Sequence, residues 1–381
     1  MTTTINNEHK KINVPNLRFP EFEGEWHLCK ISNILSIGNG RDYKHLAKGN
    51  IPVFGTGGYM TSVNDYLYDG ETTFIGRKGT INKPYYYKGK FWTVDTLFYT
   101  HSFDGVMPHF VYCLFQTINW LKYNEASGVP SLSKDTIEKI KVHIPQIKEQ
   151  QKISRLILLL DERIATQNKI IEDFKKLKCA IIEKVFNGKH SEKLQLNDVG
   201  SYIRGLTYSS NDVVEHGGTL VMRSNNIVNG SLLDYNNNVV FVNKQMSAEQ
   251  QLQNGDVVIC MANGSSSLVG KSSFYDGNCH SPITVGAFCG IYRSKEPIVK
   301  WLFQTNKYRR YIWNSLQGGN GAIANLNGED ILNMSFSIPN APIKDTCVKM
   351  LTSVDSALEN NMSLCALYTL QKQYLLRQMF I

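Results

Sequence analysis

The sequence predicts an α+β fold: two tandem, strand-rich mixed α/β units, each followed by one long helix, the two helices pairing along apolar seams. Three observations predict it. Residues 131–186 and 325–380 align without a gap at a constant offset of 194. A heptad pattern runs through the second part of both copies. Between the repeated ends, short β-branched and aromatic runs alternate with Gly and Asn turns.

The repeat keeps Leu132/Leu326, Ile137/Ile331, Ile144-Pro145/Ile338-Pro339, Asp161/Asp355, Lys178/Lys372 and Phe186/Phe380. Such a period is that of a domain, not of a solenoid unit. After each Ile-Pro, apolar positions step by four and three. The first seam runs through Ile153, Ile157, Leu160, Ile164, Gln167, Ile171, Phe174, Lys178, Ile181 and Val185. The second runs through Cys347, Leu351, Val354, Leu358, Asn361, Cys365, Tyr368, Lys372, Leu375 and Met379. The polar interruptions fall in the same layers, Gln167/Asn361 and Lys178/Lys372, as expected of helices that pair and use a buried amide to fix register. At 1.5 Å per residue each seam is roughly 50 Å long, more than a compact domain needs, so the helices read as spacers. The expected interface is Ile157, Leu160, Ile164, Gln167, Ile171 and Phe174 against Leu351, Val354, Leu358, Asn361 and Tyr368.

In order, the chain divides into a polar, flexible leader (1–14), a first domain (15–145), a spacer helix (146–187), a short link (188–193), a second domain (194–339) and a C-terminal spacer helix (340–381). The start of the first domain recurs at an offset of 165: Gly38-Asn39-Gly40 has its counterpart in Ile203-Arg204-Gly205. The interiors read as different contents in one frame. Helical patterns return at 107–123 and 297–316.

Eight cysteines are scattered with no CxxC, which suits a reducing cytosol better than a disulfide or zinc framework. The N-terminus has no apolar signal core, and no apolar run is long enough to span a membrane; a cytoplasmic location is expected. Net charge is +8, of which +7 falls in residues 1–190, a balance suited to a polyanionic partner.

Catalytic signatures are missing. Asn82-Lys83-Pro84-Tyr85 lacks the first proline of an amino-methyltransferase loop. Gly264 and Gly270-Lys271-Ser272 enclose five residues where a phosphate loop needs four. The histidines show no ligand spacing, and neither metal nor cofactor is expected on this chain. What the loops offer is nucleic-acid chemistry: cations for phosphates, and amides, hydroxyls and arginines for base edges. In the first domain the candidates are Arg41, Lys44, Tyr59, Arg77, Lys78 and Lys83, the last three in a basic stretch interleaved with Tyr85, Tyr86 and Tyr87. Those tyrosines read equally well as the core face of a hairpin. In the second domain they are Arg204, Arg223, Asn225, Asn263, Ser266, Lys271 and Asn320. A stand-alone DNA-modifying or DNA-cleaving enzyme and a coiled-coil scaffold remain open as alternatives.

With these parts in place the chain resembles the specificity subunits of type I restriction–modification systems. The resemblance rests on Trp26, Ile31 and Ile34; on Ile51-Pro-Val-Phe-Gly-Thr-Gly-Gly-Tyr59; on Gly128-Val-Pro-Ser-Leu-Ser133; and on Ile144-Pro145 with Gln150-Gln151-Lys152-Ile153. The second half departs from it, with Gly321-Ala-Ile-Ala-Asn-Leu-Asn327 where the motif has Gly-x-Pro-x-Leu-Ser. The resemblance implies two target-recognition domains, each reading half of a split site in double-stranded DNA, held by an antiparallel coiled coil. It implies two modification subunits that use S-adenosylmethionine, and restriction subunits that use ATP and Mg2+. Catalysis belongs to those partners; neither a membrane nor a homo-oligomer is required.

Overall fold

The computed structural model describes residues 13–188, 192–316 and 324–381. The leader to residue 12 and Asn320 lie outside them. The chain forms two compact units by contact: 1–169 with 362–381, and 170–361. This division does not follow chain order, because it cuts both long helices, Ile147–Phe186 and Ala341–Met379.

Unit 1 is built on a six-stranded sheet in the order Ser36–Asn39, Leu97–His101, Tyr68–Gly76, Tyr85–Thr93, Lys48–Gly55, Gly58–Val63. All neighbours are antiparallel except Lys48–Gly55 and Tyr85–Thr93. Tyr85, Tyr87 and Phe91 alternate on one face and join Phe54, Tyr68, Phe74 and Tyr99 in an aromatic core, where burial pushes the Tyr85 and Tyr87 phenols up. The aromatic interleaving of the basic stretch is therefore core alternation. Its Lys88 is also not free, since it pairs with Glu71, its register partner on the next strand, at 2.9 Å.

Helix Pro108–Thr117 starts on a proline, whose missing N–H costs nothing at a helix N-terminus. It buries Phe110, Val111, Leu114 and Phe115 in a second core with Trp26, Ile153, Ile157, Leu376, Met379 and Phe380. Phe380 stacks on Phe110 at 5.3 Å and meets Trp26 edge-on at 6.0 Å. Beneath them Glu149, fully buried, accepts both nitrogens of the Arg18 fork (2.8 and 2.7 Å) and the Trp26 indole N–H (3.2 Å). A buried carboxylate is tolerable only when paired in this manner.

Unit 2 has two four-stranded sheets. One is ordered Gly200–Arg204, Cys289–Ser294, Val257–Cys260, Ser272–Phe274; the other Val213–Val214, Val240–Val242, Thr219–Met222, Ile283–Val285. Helices Val299–Leu302 and Asn306–Leu316 cover its core.

Both units close with the same two-stranded ladder. His27–Lys30 pairs with Lys141–Ile144, and Glu192–Gln195 with Ser335–Ile338, in identical register. The first strands differ by 165 residues and the second by 194, the two offsets read from the sequence. The strand beginning at Glu192 takes up the last two residues of the stretch read as a link.

None of the twenty seam positions is exposed. In unit 1, Asp161 meets Lys372 (2.6 Å), Arg163 lies over the Tyr368 ring and Asn168 accepts from Cys365 (3.4 Å), so the segments run antiparallel. In unit 2, Lys178 meets Asp355 at 2.7 Å, and Ile182, Val185 and Phe186 share a core with Cys347 and Leu351. Lys178 and Lys372 therefore do not share a layer, as the aligned seams suggested; antiparallel pairing sets each in a separate layer against an aspartate. In each unit the repeated Lys takes the repeated Asp of the opposite helix.

Candidate nucleic-acid interface

In unit 1 four segments are stitched to the turn at 93–96. Thr93 O accepts Arg41 N–H (2.8 Å), and Val94 N–H donates to Phe54 O (3.0 Å). Thr96 O accepts both Arg77 and Lys78 N–H (2.8 and 3.3 Å), and Arg77 O accepts Leu132 N–H (2.8 Å). Gly40 is needed here because a Cβ would collide with the Val94 carbonyl. The Leu-Ser of the motif at 128–133 also has a local cause. Leu132 is core, and the Ser133 hydroxyl caps helix Lys134–Lys139 by accepting Thr136 N–H (3.1 Å).

This arrangement brings Arg77 and Lys78 to one rim, while Arg41 shares only the backbone tie to the turn. Arg77 and Lys78, with Asn39, Ser131, Ser133 and Lys134, line a cavity of about 560 Å³; Asp95 and Glu125 are its acids. Arg77 is held by Asp95 O (3.3 Å) and lies over the Phe98 ring. Tyr59 is 63% exposed beyond the hairpin turn at 55–58. Lys44 and Lys83 are exposed on separate loops, and nothing ties them to this rim.

Unit 2 repeats the stitching almost bond for bond. Val285 O accepts Leu206 N–H (2.7 Å), and Gly286 N–H donates to Met222 O (2.8 Å). Phe288 O accepts Met261 and Ala262 N–H (2.9 and 3.1 Å), and Met261 O accepts Leu326 N–H (2.8 Å). Gly205 stands where Gly40 does, since a Cβ there would strike Gly286 O. Leu326 is core and Asn327 caps the next helix, accepting Asp330 N–H at 2.9 Å, so the divergent loop keeps the motif's mechanics. The interiors differ in their sheets, as the sequence suggests, but the stitched turn is common to both and carries different side chains. Met261 and Ala262 occupy the places of Arg77 and Lys78.

Around this second turn, Asn263 donates to the Ser224 hydroxyl (3.2 Å), joining the 223–226 turn, with its exposed Arg223 and Asn225, to the 263–267 loop that carries Ser266. Arg223 also reaches Asn238 O (3.2 Å). Arg204 is exposed, its carbonyl held by Gln250. Lys271 lines a groove of about 310 Å³ that begins at the same loop, with Ser266, Ser267, Arg309, Ile312 and Trp313. Gly270 has φ +81, its carbonyl accepts the Tyr308 hydroxyl, and a Cβ would press on Ile312. The glycine serves that contact and leads into strand Ser272–Phe274, where a phosphate loop would begin a helix. Helix Asn306–Leu316 carries Lys307, Arg309 and Arg310 with no acid, and Trp313 is 65% exposed. These four are further candidates; their signal in the sequence is the absence of acids in an amphipathic helix.

Among the described residues no group of His, Cys, Asp and Glu could hold a metal ion, and no helix is long and apolar enough to cross a membrane.

The chain is 34% identical over 158 residues to the type I restriction enzyme EcoKI specificity subunit of Escherichia coli K12, covering 39% of this chain and 31% of that protein. It is 33% identical over 156 residues to the StySPI specificity subunit of Salmonella potsdam, with 39% and 31% covered. The matched stretch thus spans about a third of the length of these relatives. The fold is that of the S subunit of a type I restriction–modification system from M. genitalium: TM-score 0.68 over 97% of this chain and 99% of that one, at 13% identity. The family model of the type I restriction modification DNA specificity domain matches residues 23–176 and again 189–364, and the chain belongs to that family.

Proposed function

We propose that this chain is the address-reading subunit of a type I restriction–modification complex. Each unit reads one half of a bipartite duplex site, and the paired helices serve as the spacer. Two modification subunits dock on the chain and methylate adenine with S-adenosylmethionine; restriction subunits add ATP- and Mg2+-dependent translocation and cleavage. The observation that carries this reading is the stitched turn common to both units with exchanged side chains, one device presenting two different reading surfaces. Methylome sequencing of a host carrying the partner subunits with and without this chain tests it. A split motif is expected only when the chain is present. The same methylation in both hosts overturns the proposal.

Three further results are expected. Replacing Arg77 and Lys78 with Ala reduces the salt slope of DNA binding by about one unit per lost phosphate contact, measured by titration at several salt concentrations. Trp313 is the one exposed tryptophan of the five, so the difference between wild type and Trp313→Phe isolates its fluorescence. Target duplex should shield that signal from acrylamide. Leu364, Leu367, Leu370 and Tyr374 form an exposed stripe on the second long helix. Leu367→Lys with Leu370→Lys should abolish co-purification of the modification subunits and leave thermal stability within a degree or two of wild type.

A further inference from the structure

Phe288 is 67% exposed, more than any other large hydrophobic residue of the described chain. A single exposed apolar side chain is ordinary on a protein surface, but the position of this one is not. Its carbonyl accepts the N–H groups of both Met261 and Ala262. Two residues earlier in the same turn, Gly286 is tied to Met222 and Cys289 (2.8 Å each), and Val285 to Leu206. The backbone beneath the ring is therefore fixed from several sides, while the ring itself projects into solvent. In unit 1 the residue with the same hydrogen bonds is Thr96, between Arg77 and Asp95 on the cationic rim. Unit 2 has traded the rim's cations for Met261 and Ala262 and its threonine for a phenyl ring. Arg223, Asn225 and Asn263 stand on the loops beside it.

We propose that Phe288 makes a specificity-determining apolar contact with a base of the half-site read by unit 2. Two sources of that chemistry exist in a duplex: a thymine methyl in the major groove, and the face of a base at an opened step. A fixed backbone suits either, because the turn that carries the ring need not be ordered on binding. Unit 1 would hold its half-site mainly through phosphate charge, and unit 2 through base contact, which agrees with the concentration of net charge in residues 1–190.

The inference rests on the DNA-reading proposal, and its test separates the two. The chain is assembled with its modification subunits and titrated with the duplex found by methylome sequencing and with a scrambled duplex. Phe288→Ala is expected to weaken target binding by about 5- to 100-fold, leave scrambled-duplex binding unchanged, and leave the salt slope unchanged because no charge is lost. Phe288→Leu should retain part of the preference. Replacing single thymines by uracil, or single bases by 2-aminopurine, then assigns the contact: a loss on methyl removal marks the groove, and a fluorescence rise that Phe288→Ala abolishes marks an opened step. An unchanged target-to-scrambled ratio in Phe288→Ala overturns the inference, as does a loss of modification-subunit assembly in its place. If the wild-type complex itself shows no preference, the proposed function fails first. Because Phe288 is exposed, its replacement leaves the fold intact.

Discussion

Asp355→Ala is expected to cost unit 2 about 3–5 kcal/mol, read by chemical denaturation. The carboxylate takes Lys178 on one oxygen (2.7 Å) and the Trp301 indole N–H on the other (2.9 Å), with Lys300 at 3.6 Å. The Lys178 and Asp355 side chains are each 6% exposed. Burial lowers the Lys300 pKa, and Asp355 is the main opposing influence. Without the aspartate, Lys178 remains buried with its countercharge gone, and it is this orphaned charge, more than the lost attraction, that sets the cost. Replacing Lys178 with Met in the same chain should therefore restore most of the loss, as a double-mutant cycle would show. Asp161→Ala, at the repeat-related pair, should cost only about 1 kcal/mol, because Lys372 and Asp161 are 12% and 28% exposed. Equal effects at both sites would refute this account.

Phe380→Ala should destabilise unit 1 by a similar amount, about 3–5 kcal/mol. The ring is buried against Phe110 and Trp26, and its removal opens a cavity between the end of the second long helix and the Pro108–Thr117 helix. Trp26 would also lose a wall of the pocket in which it donates to Glu149. Phe380→Leu, nearer in volume, should cost less than about 1.5 kcal/mol. A loss below 1 kcal/mol for the alanine variant would mean that the helix end is held by other contacts.

How far the sequence could be read follows the range of the interactions. The seams were legible because a heptad is local and was present twice; every position named there is sheltered from solvent. Lys178 and Lys372 read as one shared layer, but antiparallel pairing separates them and sets each against an aspartate. Asp161 and Asp355 were visible as a repeated pair, yet joining each to the lysine of the other copy requires knowing that the helices run in opposite directions. The stitched turns left no trace in composition, because their bonds are between backbone groups and permit almost any side chain. Hence Thr96 and Phe288 do one backbone task with nothing in common. Phe288 itself sits in the largely apolar run Val285-Gly-Ala-Phe-Cys-Gly290, where nothing local marks one ring as exposed. Tyr85 to Trp92 had two equal readings, and only the sheet register decides for the core.

The core of unit 1 that includes Trp26 and Phe110 is completed by Leu376, Met379 and Phe380. On the ribosome these residues emerge after all of unit 2 has been made. The part of the sequence synthesised first is therefore the last to be sealed. Until residue 380 appears, Trp26 and Phe110 lack their apolar cover, and the early chain is a natural client for chaperones. The same order acts as a check on manufacture, since a chain truncated before its final turn of helix has a finished second unit and an open first one.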